Sequence, residues 1–316
     1  MTADPIEENE TATVAPLASI DIGTNTLRLL VARPVRVGDA VDLATLDSRT
    51  ATVRLGYGVE RTGRIEPERL ARAVATVQEF RQIALGHGTT TIFLAATSAV
   101  RDASNGPELR ERIAATTGLT VEIIAGEREA ELTFAGATLG QSLAGRLVVA
   151  DLGGGSLELI AAEDGAIESA VSLQLGSGRL TERHVNADPP DRAMIAAAEA
   201  DARAILAPQA ARTATVDRLI VVGGTAQSVP VLVPRPQETR ELTRRRLEGA
   251  VAVLTGAPVA SLAAETGLDP ERVRTLPAGV AIIRALLDAY GLDLALLSIG
   301  GLREGLILDH LRRTAS

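Results

Sequence analysis

The chain of 316 residues contains one short pattern twice. The first copy is IDIGTNTLRLL at 20–30, and the second is ADLGGGSLELI at 150–160. Each copy has an apolar run, an Asp, one apolar residue, a Gly and a turn of small or hydroxyl-bearing residues, after which apolar residues resume. Each copy is typical of a strand, a tight turn and a second strand. The duplication therefore predicts two domains built in the same way, each contributing one such turn.

Apolar periodicity extends the duplication to both halves of the chain. It predicts strands at 17–23, 26–35, 40–46, 90–97, 121–125, 147–152, 157–162, 167–173, 218–222 and 293–301. It predicts helices at 67–85, 107–117, 127–139, 191–205, 244–254, 278–290 and 302–311. Both halves then follow the order β-β-β-α-β-α-β-α, with some extra helix in the second half, and this alternation favours a parallel-rich α/β sheet covered by helices. Equivalent turns of duplicated halves are expected to face each other across a cleft.

These boundaries divide the chain into four parts. Residues 1–15 are acidic and polar, lack the features of a signal peptide, and are predicted to be a disordered tail. We predict a first domain at 16–132, a second at 133–300, and a terminal helix at 301–316 that packs back on the first domain.

Composition excludes several classes of function. The chain has no lysine and no cysteine, which rules out a phosphate-loop lysine, a thiolate nucleophile and a zinc–sulfur site. The net charge of −8 argues against nucleic acid and anionic membranes as partners. No uninterrupted apolar run reaches the length of a membrane span, and a cytoplasmic location is expected.

The turns carry the chemistry. Glycines after a strand let several backbone N–H groups approach one anion, and an Asp at the strand end adds a hard oxygen ligand for Mg²⁺. A third glycine pair follows the strand at 218–222. The pattern predicts a phosphate site formed by Gly23, Thr24, Asn25, Gly153, Gly154, Gly155, Ser156, Gly223 and Gly224.

Six stretches together carry a family resemblance. They are DIGTNTLRLL (21–30), AATSAVRDASN (95–105), IAGEREAEL (124–132), DLGGGSLEL (151–159), VVGGTA (221–226) and GLREGL (301–306). In this order they resemble the exopolyphosphatase and guanosine pentaphosphate phosphohydrolase family, in its short two-domain form, within the actin-like ATPase and sugar-kinase superfamily. The resemblance implies two ribonuclease H-like (actin-like ATPase) domains with a central interdomain cleft.

The resemblance also implies roles for particular residues. Glu129 matches the catalytic glutamate that positions and deprotonates water, and Arg101 matches an anion-binding arginine of the family motif. The implied ligands of Mg²⁺ or Mn²⁺ are Asp21, Asp151 and Glu158. Two positions depart from the family pattern: Arg128 replaces a frequent acid, and Leu157 replaces a frequent Thr.

The residues alone leave alternatives open. Glu127, Glu129 and Glu131 begin a predicted helix, where first-turn acids are ordinarily solvated, and only the family match selects Glu129. Arg28 and Arg54 either line a substrate channel or form structural ion pairs, and Arg101 has the same alternative. The three histidines have no metal-binding spacing and are interpreted as non-catalytic.

The implied activity is the release of terminal orthophosphate from inorganic polyphosphate by a homodimer. An alternative substrate is guanosine pentaphosphate. Two other classes remain, namely an ATP-dependent small-molecule kinase, for which no acceptor-binding insert is found, and a non-catalytic regulator that binds polyphosphate or alarmone.

Overall fold

A computed structural model of the chain describes residues 15–37, 40–213, 215–235 and 240–315. Two β-sheets, each with its own covering helices, make up this part of the molecule. The tail predicted at 1–15 lies outside the described residues except for its last position.

The first sheet has five strands. These are β1 (Leu17–Ile22), β2 (Thr26–Val37), β3 (Ala40–Thr52), β4 (Thr91–Ala96) and β5 (Val121–Ile123), in the spatial order β3-β2-β1-β4-β5. β1 is the central strand; it pairs antiparallel with β2 and parallel with β4. Its residues are nearly all buried because both faces are covered, which explains its continuous apolar sequence.

The second sheet repeats this arrangement with one extra edge strand. Its strands are β6 (Arg146–Leu152), β7 (Leu157–Glu163), β8 (Ala166–Leu173), β9 (Arg218–Val222), β10 (Glu241–Thr243) and β11 (Leu294–Leu297), in the order β10-β11-β9-β6-β7-β8. The two hairpins have the same register, because Asp21 lies opposite Arg28 and Asp151 lies opposite Glu158. The duplicated motifs therefore occupy equivalent places in two equivalent sheets.

Helices cover both sheets. They are α1 (Val59–Thr62), α2 (Pro67–Gly86), α3 (Ser98–Asp102), α4 (Gly106–Thr117), α5 (Gly126–Ala137), α6 (Ser177–His184), α7 (Arg192–Ala210), α8 (Gly224–Leu232), α9 (Arg244–Gly256), α10 (Val259–Thr266), α11 (Pro270–Ala289) and α12 (Leu302–Ala315). α11 is the most deeply buried of them and packs against α6, α7, α8 and α9. In the described ranges no helix has both the length and the apolar character that a bilayer crossing requires.

Two helices lie between the sheets. Ala130, Phe134 and Ala137 of α5 pack on the second sheet, while Leu132 packs with Leu302 and others of α12. α12 also lies on the first sheet, where the Ser19 hydroxyl donates to the Arg303 carbonyl oxygen at 2.9 Å. α5 and α12 therefore set the relative position of the two sheets.

The α5–α12 crossing depends on glycine. A Cβ atom on Gly305 would overlap the carbonyl oxygen of Leu132, and one on Gly136 would overlap that of Gly301. The helix backbones are thus in direct contact, which only residues without a side chain permit.

The predicted elements are found, with differences in extent. α11 begins at Pro270 rather than at the predicted residue 278, because the helix continues through Pro277 and is capped by the Asp269 carboxylate, which accepts from the N–H of Glu271 at 2.9 Å. α7 likewise continues through Pro208 to Ala210. Buried neighbours stabilise these helices despite the internal prolines, which sequence patterns treat as helix ends. The short elements α1, α3, α6, α8, α10 and β10 were not predicted.

Replacing Gly305 tests the crossing. Gly305→Ala should lower the free energy of unfolding by about 2–3 kcal/mol, because the new methyl group must displace the α5 backbone. Gly256→Ala is the matched control, since no atom lies within 4 Å of the added Cβ. It should leave stability unchanged or raise it by up to about 1 kcal/mol. Chemical denaturation of both variants measures the difference; equal stabilities would contradict the proposed contact.

Candidate active site

The two glycine-rich turns lie face to face. A Cβ atom built on Gly154 would lie 3.6 Å from the Cβ of Asn25, and one built on Gly155 would lie 3.8 Å from the Cγ2 of Thr24. The first turn joins β1 to β2, and the second joins β6 to β7. The cleft predicted between the two domains is therefore present, and its walls are the duplicated turns.

The turns share the same internal geometry. The N–H of Gly23 donates to the carbonyl oxygen of Thr26 at 3.1 Å, and the N–H of Gly153 donates to that of Ser156 at 3.0 Å. Each turn is thus closed by one hydrogen bond of the same kind. The residues within the two turns face each other across the cleft.

Further contacts hold the first turn in place. The hydroxyls of Thr24 and Ser98 are 2.9 Å apart, which connects the turn to the start of α3. The carbonyl oxygen of Asn25 accepts from the N–H of Arg54 at 2.8 Å, and that of Thr24 accepts from the N–H of Gly56 at 2.9 Å. These contacts order the polar groups before any ligand arrives, which reduces the entropy lost on binding.

Four carboxylates meet at the bottom of the cleft. Burial raises the pKa of Asp21 to about 6, a value that includes the lowering by Arg28 and a smaller raising by the neighbouring Asp151 carboxylate. Burial also raises the pKa of Asp151. Burial together with the charge of Asp151 raises the pKa of Glu158 to about 7, although the Ser172 hydroxyl donates to this carboxylate at 2.8 Å. Acids from both domains therefore repel one another in a poorly hydrated space.

Glu129 completes this group. Its side chain on α5 is 15% exposed, whereas the side chains of Glu127 and Glu131 are exposed. Burial and the charge of Glu158 raise the pKa of Glu129 to about 8. Arg101 opposes the shift by donating from Nη1 to Glu129 Oε2 at 3.1 Å. Of the three acids at the start of α5, the structure directs only Glu129 into the carboxylate group.

Arg101 is held as well. Its Nη1 also donates to the Ile124 carbonyl oxygen at 2.9 Å, and its Nε is 3.8 Å from Asp102. The ion-pair alternative of the sequence analysis is therefore found, with a partner that belongs to the carboxylate group, and the anion-binding role of Arg101 stays a prediction.

Two arginines, one from each domain, lie close to each other at the cleft. Arg28, predicted as a channel residue, lowers the pKa of both Asp21 and Asp151. From the second domain, the guanidinium of Arg272 lies so close to Gly224 that an added Cβ there would be 2.5 Å from its Cζ. Burial and the charge of Arg28 lower the pKa of Arg272, so the two cations repel each other unless an anion lies between them.

The third glycine pair therefore has a different environment from the other two. Gly223 has a φ of 108° and approaches the end of β6 at the Leu152 carbonyl oxygen, which no residue with a side chain tolerates. Gly224 contacts the guanidinium of Arg272. Gly224 thus offers the cleft a surface without a side chain, and the guanidinium of Arg272 packs against it.

Sequence reasoning missed two charged residues of the site. Arg272 lies in the part of α11 that was not predicted to be helical, and nothing in the local sequence distinguishes it from Arg274. Glu304 of α12 lies in the quoted GLREGL motif but had no assigned role; its carboxylate accepts from the N–H of Gly301 at 2.7 Å and raises the pKa of Asp21 and Asp151.

Other residues that the sequence analysis considered form contacts outside the carboxylate group. Arg54 forms an ion pair with Glu271 of α11 across the domains. His87 and His184 contact Asp47 and Asp201, and His310 contacts Phe93, outside the carboxylate group.

The carboxylates match Mg²⁺ in the type of donor atom but not in number. Asp21 Oδ1 is buried and has no hydrogen-bond partner, and all the nearby acids supply the hard oxygens that Mg²⁺ prefers. Within the part of the chain that the structure describes, however, no three acids or histidines are spaced as a complete set of metal ligands. The donors thus suit Mg²⁺ in type, while the protein alone does not surround an ion.

Two sheets of matching topology whose glycine-rich turns meet across a cleft define the actin-like ATPase class of fold. The model of the Ppx/GppA phosphatase family matches residues 31–314. The chain belongs to this family, so the resemblance found in the sequence is confirmed and, at that level, so is the predicted class of phosphoanhydride hydrolase.

Individual relatives cover nearly the whole chain. Exopolyphosphatase 1 of Mycobacterium bovis is 32% identical over 306 residues, covering 93% of this chain and 88% of that protein. Exopolyphosphatase 2 of Mycobacterium tuberculosis is 32% identical over 314 residues, covering 93% and 98%. The crystal structure of an exopolyphosphatase from Cytophaga hutchinsonii has a TM-score of 0.82 and 26% identity, covering 94% of this chain and 98% of its own.

Removing one acid should stabilise the protein. The folded-state pKa of Asp21 is about 6, above its ordinary value of 3.8, so stability is lost as pH rises through this interval and the ionised form is unfavourable at neutral pH. Asp21→Asn should raise the free energy of unfolding at neutral pH by on the order of 1–3 kcal/mol, with the gain shrinking as pH falls toward 4.

Chemical denaturation across this pH range checks the prediction. Asp102→Asn is the control, because the Asp102 side chain is 65% exposed and its removal should change stability by less than about 0.5 kcal/mol. A loss of stability in Asp21→Asn at neutral pH would show that this carboxylate is satisfied in the fold.

Proposed function

We propose that the protein is an exopolyphosphatase that releases terminal orthophosphate from inorganic polyphosphate, with Glu129 as the base and Mg²⁺ as the cofactor. The observation that carries the proposal is the buried Glu129 carboxylate beside two facing phosphate turns. The named exopolyphosphatases that this chain resembles support the choice of substrate.

Glu129 is suited to deprotonate water. Its raised pKa makes it a stronger base than an ordinary carboxylate, and the Arg101 contact fixes the direction of its side chain. The water would attack the terminal phosphorus, the P–O–P bond would break, and Glu129 would take the proton. The products are orthophosphate and a chain one unit shorter.

The turns and arginines would hold the substrate. Backbone N–H groups and hydroxyls of the two turns surround a terminal phosphoryl group from opposite sides, which orients it toward Glu129. Arg28 and Arg272 would neutralise the next phosphates, and such an anion would relieve the repulsion between the two guanidinium groups.

Mg²⁺ would be held by Asp21 and Asp151, with Glu158 contacting it directly or through water. Because Mg²⁺ commonly keeps several waters and binds substrate phosphates, one or two carboxylates suffice, which agrees with the incomplete ligand set of the protein alone. Bound there, Mg²⁺ would supply neutralisation of negative charge on the leaving phosphate.

Guanosine pentaphosphate stays an alternative substrate, and the homodimer stays a prediction. Parallel assays of phosphate release from polyphosphate and from guanosine pentaphosphate show which of the two the protein hydrolyses. Formation of ADP from ATP with a small-molecule acceptor would instead indicate a kinase.

Glu129→Gln tests the role of the base. Phosphate release should fall by roughly 10²–10⁴-fold, because the amide cannot accept the proton from water. Binding of polyphosphate should be nearly unchanged at neutral pH, where the Glu129 carboxyl with its pKa of about 8 is largely protonated, and tighter above pH 8, where the amide lacks the negative charge. Glu127→Gln, two residues away and exposed, should retain wild-type turnover. Wild-type turnover in Glu129→Gln would remove this residue from the mechanism, and binding without turnover in the wild type would favour a regulator.

A further inference from the structure

A cavity lies next to the first phosphate turn and outside the carboxylate group. It has a volume of about 370 Å³, and its lining residues are Thr52, Val53, Arg54, Arg69 and Arg72. Three of the five are arginines, in a chain whose net charge is −8. Such a local excess of positive charge favours a polyanion.

The cavity is directly connected to the phosphate turn. The N–H groups of Val53 and Arg54 both donate to the carbonyl oxygen of Asn25, at 3.0 Å and 2.8 Å. One side of the Val53–Arg54 backbone thus supports the turn, and residues of the same segment line the cavity. A chain that leaves the cleft past Asn25 would therefore run toward the cavity.

Arg54 is held in an unusual conformation there. Its φ of 57° is in the left-handed region, which residues with a side chain seldom adopt, and such positions cluster at ligand sites. Its guanidinium pairs with Glu271, which directly precedes the cleft residue Arg272. Arg54 thus lines the cavity and also contacts the residue that precedes Arg272 in the chain.

Arg69 is fixed before any ligand binds. Its Nε donates to Glu66 at 2.7 Å, its Nη1 donates to the Val53 carbonyl oxygen at 3.3 Å, and its guanidinium lies 4.4 Å from the centre of the Tyr57 ring. An arginine restrained on three sides loses little freedom when an anion binds to it.

Arg72 is the free cation of the cavity. It follows Arg69 by three residues on α2, so the two lie on the same side of the helix. Its side chain is exposed, and within the described ranges it has no ion pair or hydrogen bond. It can therefore contact an anion without first breaking another contact.

We propose that this cavity is a distal subsite for the inner phosphates of a polyphosphate chain, with Arg54, Arg69 and Arg72 as its cations and Glu271 as its gate. The proposal rests on the exopolyphosphatase function and deepens it, because it assigns long-chain condensed phosphate as the ligand. A chain of a few phosphates ends within the cleft and does not reach the subsite. A longer chain takes the place of Glu271 at Arg54, since both are anions competing for the same guanidinium.

Binding measurements without a divalent cation test the subsite independently of turnover. Arg72→Ala should weaken the binding of long-chain polyphosphate by roughly 2–5-fold, as expected for one partly screened contact, and should leave tripolyphosphate binding unchanged. Arg81→Ala, on the same helix but outside the cavity, is the matched control and should bind both ligands like the wild type. Glu271→Gln should tighten the binding of the long chain.

The outcomes separate this proposal from the function on which it rests. Equal effects of Arg72→Ala on long and short chains, or no effect on either, would overturn the subsite. Weaker binding of the long chain to Glu271→Gln would overturn the gate. Phosphate release by the same proteins reports the proposed activity separately. If the wild type binds long chains selectively but does not hydrolyse them, the exopolyphosphatase function would be wrong while the subsite would stand.

Discussion

The approach of two glycine-rich turns from separate sheets is the contact on which the rest of the structure depends. Gly154 faces Asn25 and Gly155 faces Thr24. A Cβ atom added to either glycine would already be in van der Waals contact with the opposite turn. This approach in turn requires that α5 and α12 cross between the sheets with their backbones touching, which Gly136 and Gly305 allow. The absence of side chains thus has two effects: it brings the domains together, and it leaves backbone donors open to a ligand.

Charge explains why this arrangement suits phosphate chemistry. The carboxylates of Asp21, Glu129, Asp151 and Glu158 are gathered in a buried space, and burial together with neighbouring acids raises all four pKa values. Arg28 and Arg272 repel each other in the same cleft. Like charges brought together in this way reduce the stability of the fold, and a substrate anion with its cation would relieve both repulsions.

Sequence patterns predicted the features of the fold that depend on residues close together in the chain, namely the turns and the order of strands and helices. The Asp-x-Gly turns were found because a strand, a glycine and a second strand are adjacent in the chain, and the α/β order followed from the same periodicities. The predicted range of α11 is too short because a proline such as Pro277 usually marks a helix end. In this fold, tertiary packing lets the helix continue through it. That error hid Arg272, whose position against Gly224 depends on the fold. The Arg54–Glu271 pair joins distant segments from different domains and has no local signal.

A crystal structure with Mg²⁺ and orthovanadate, an oxyanion that imitates a phosphoryl group under attack, would show whether the two turns bind one phosphoryl group together. We expect one vanadate contacted by backbone N–H groups of both turns, at Thr24–Asn25 and at Gly154–Ser156, with the Glu129 carboxylate directed at its apical oxygen. Vanadate bound to one turn alone, with the other turn open to solvent, would contradict this expectation.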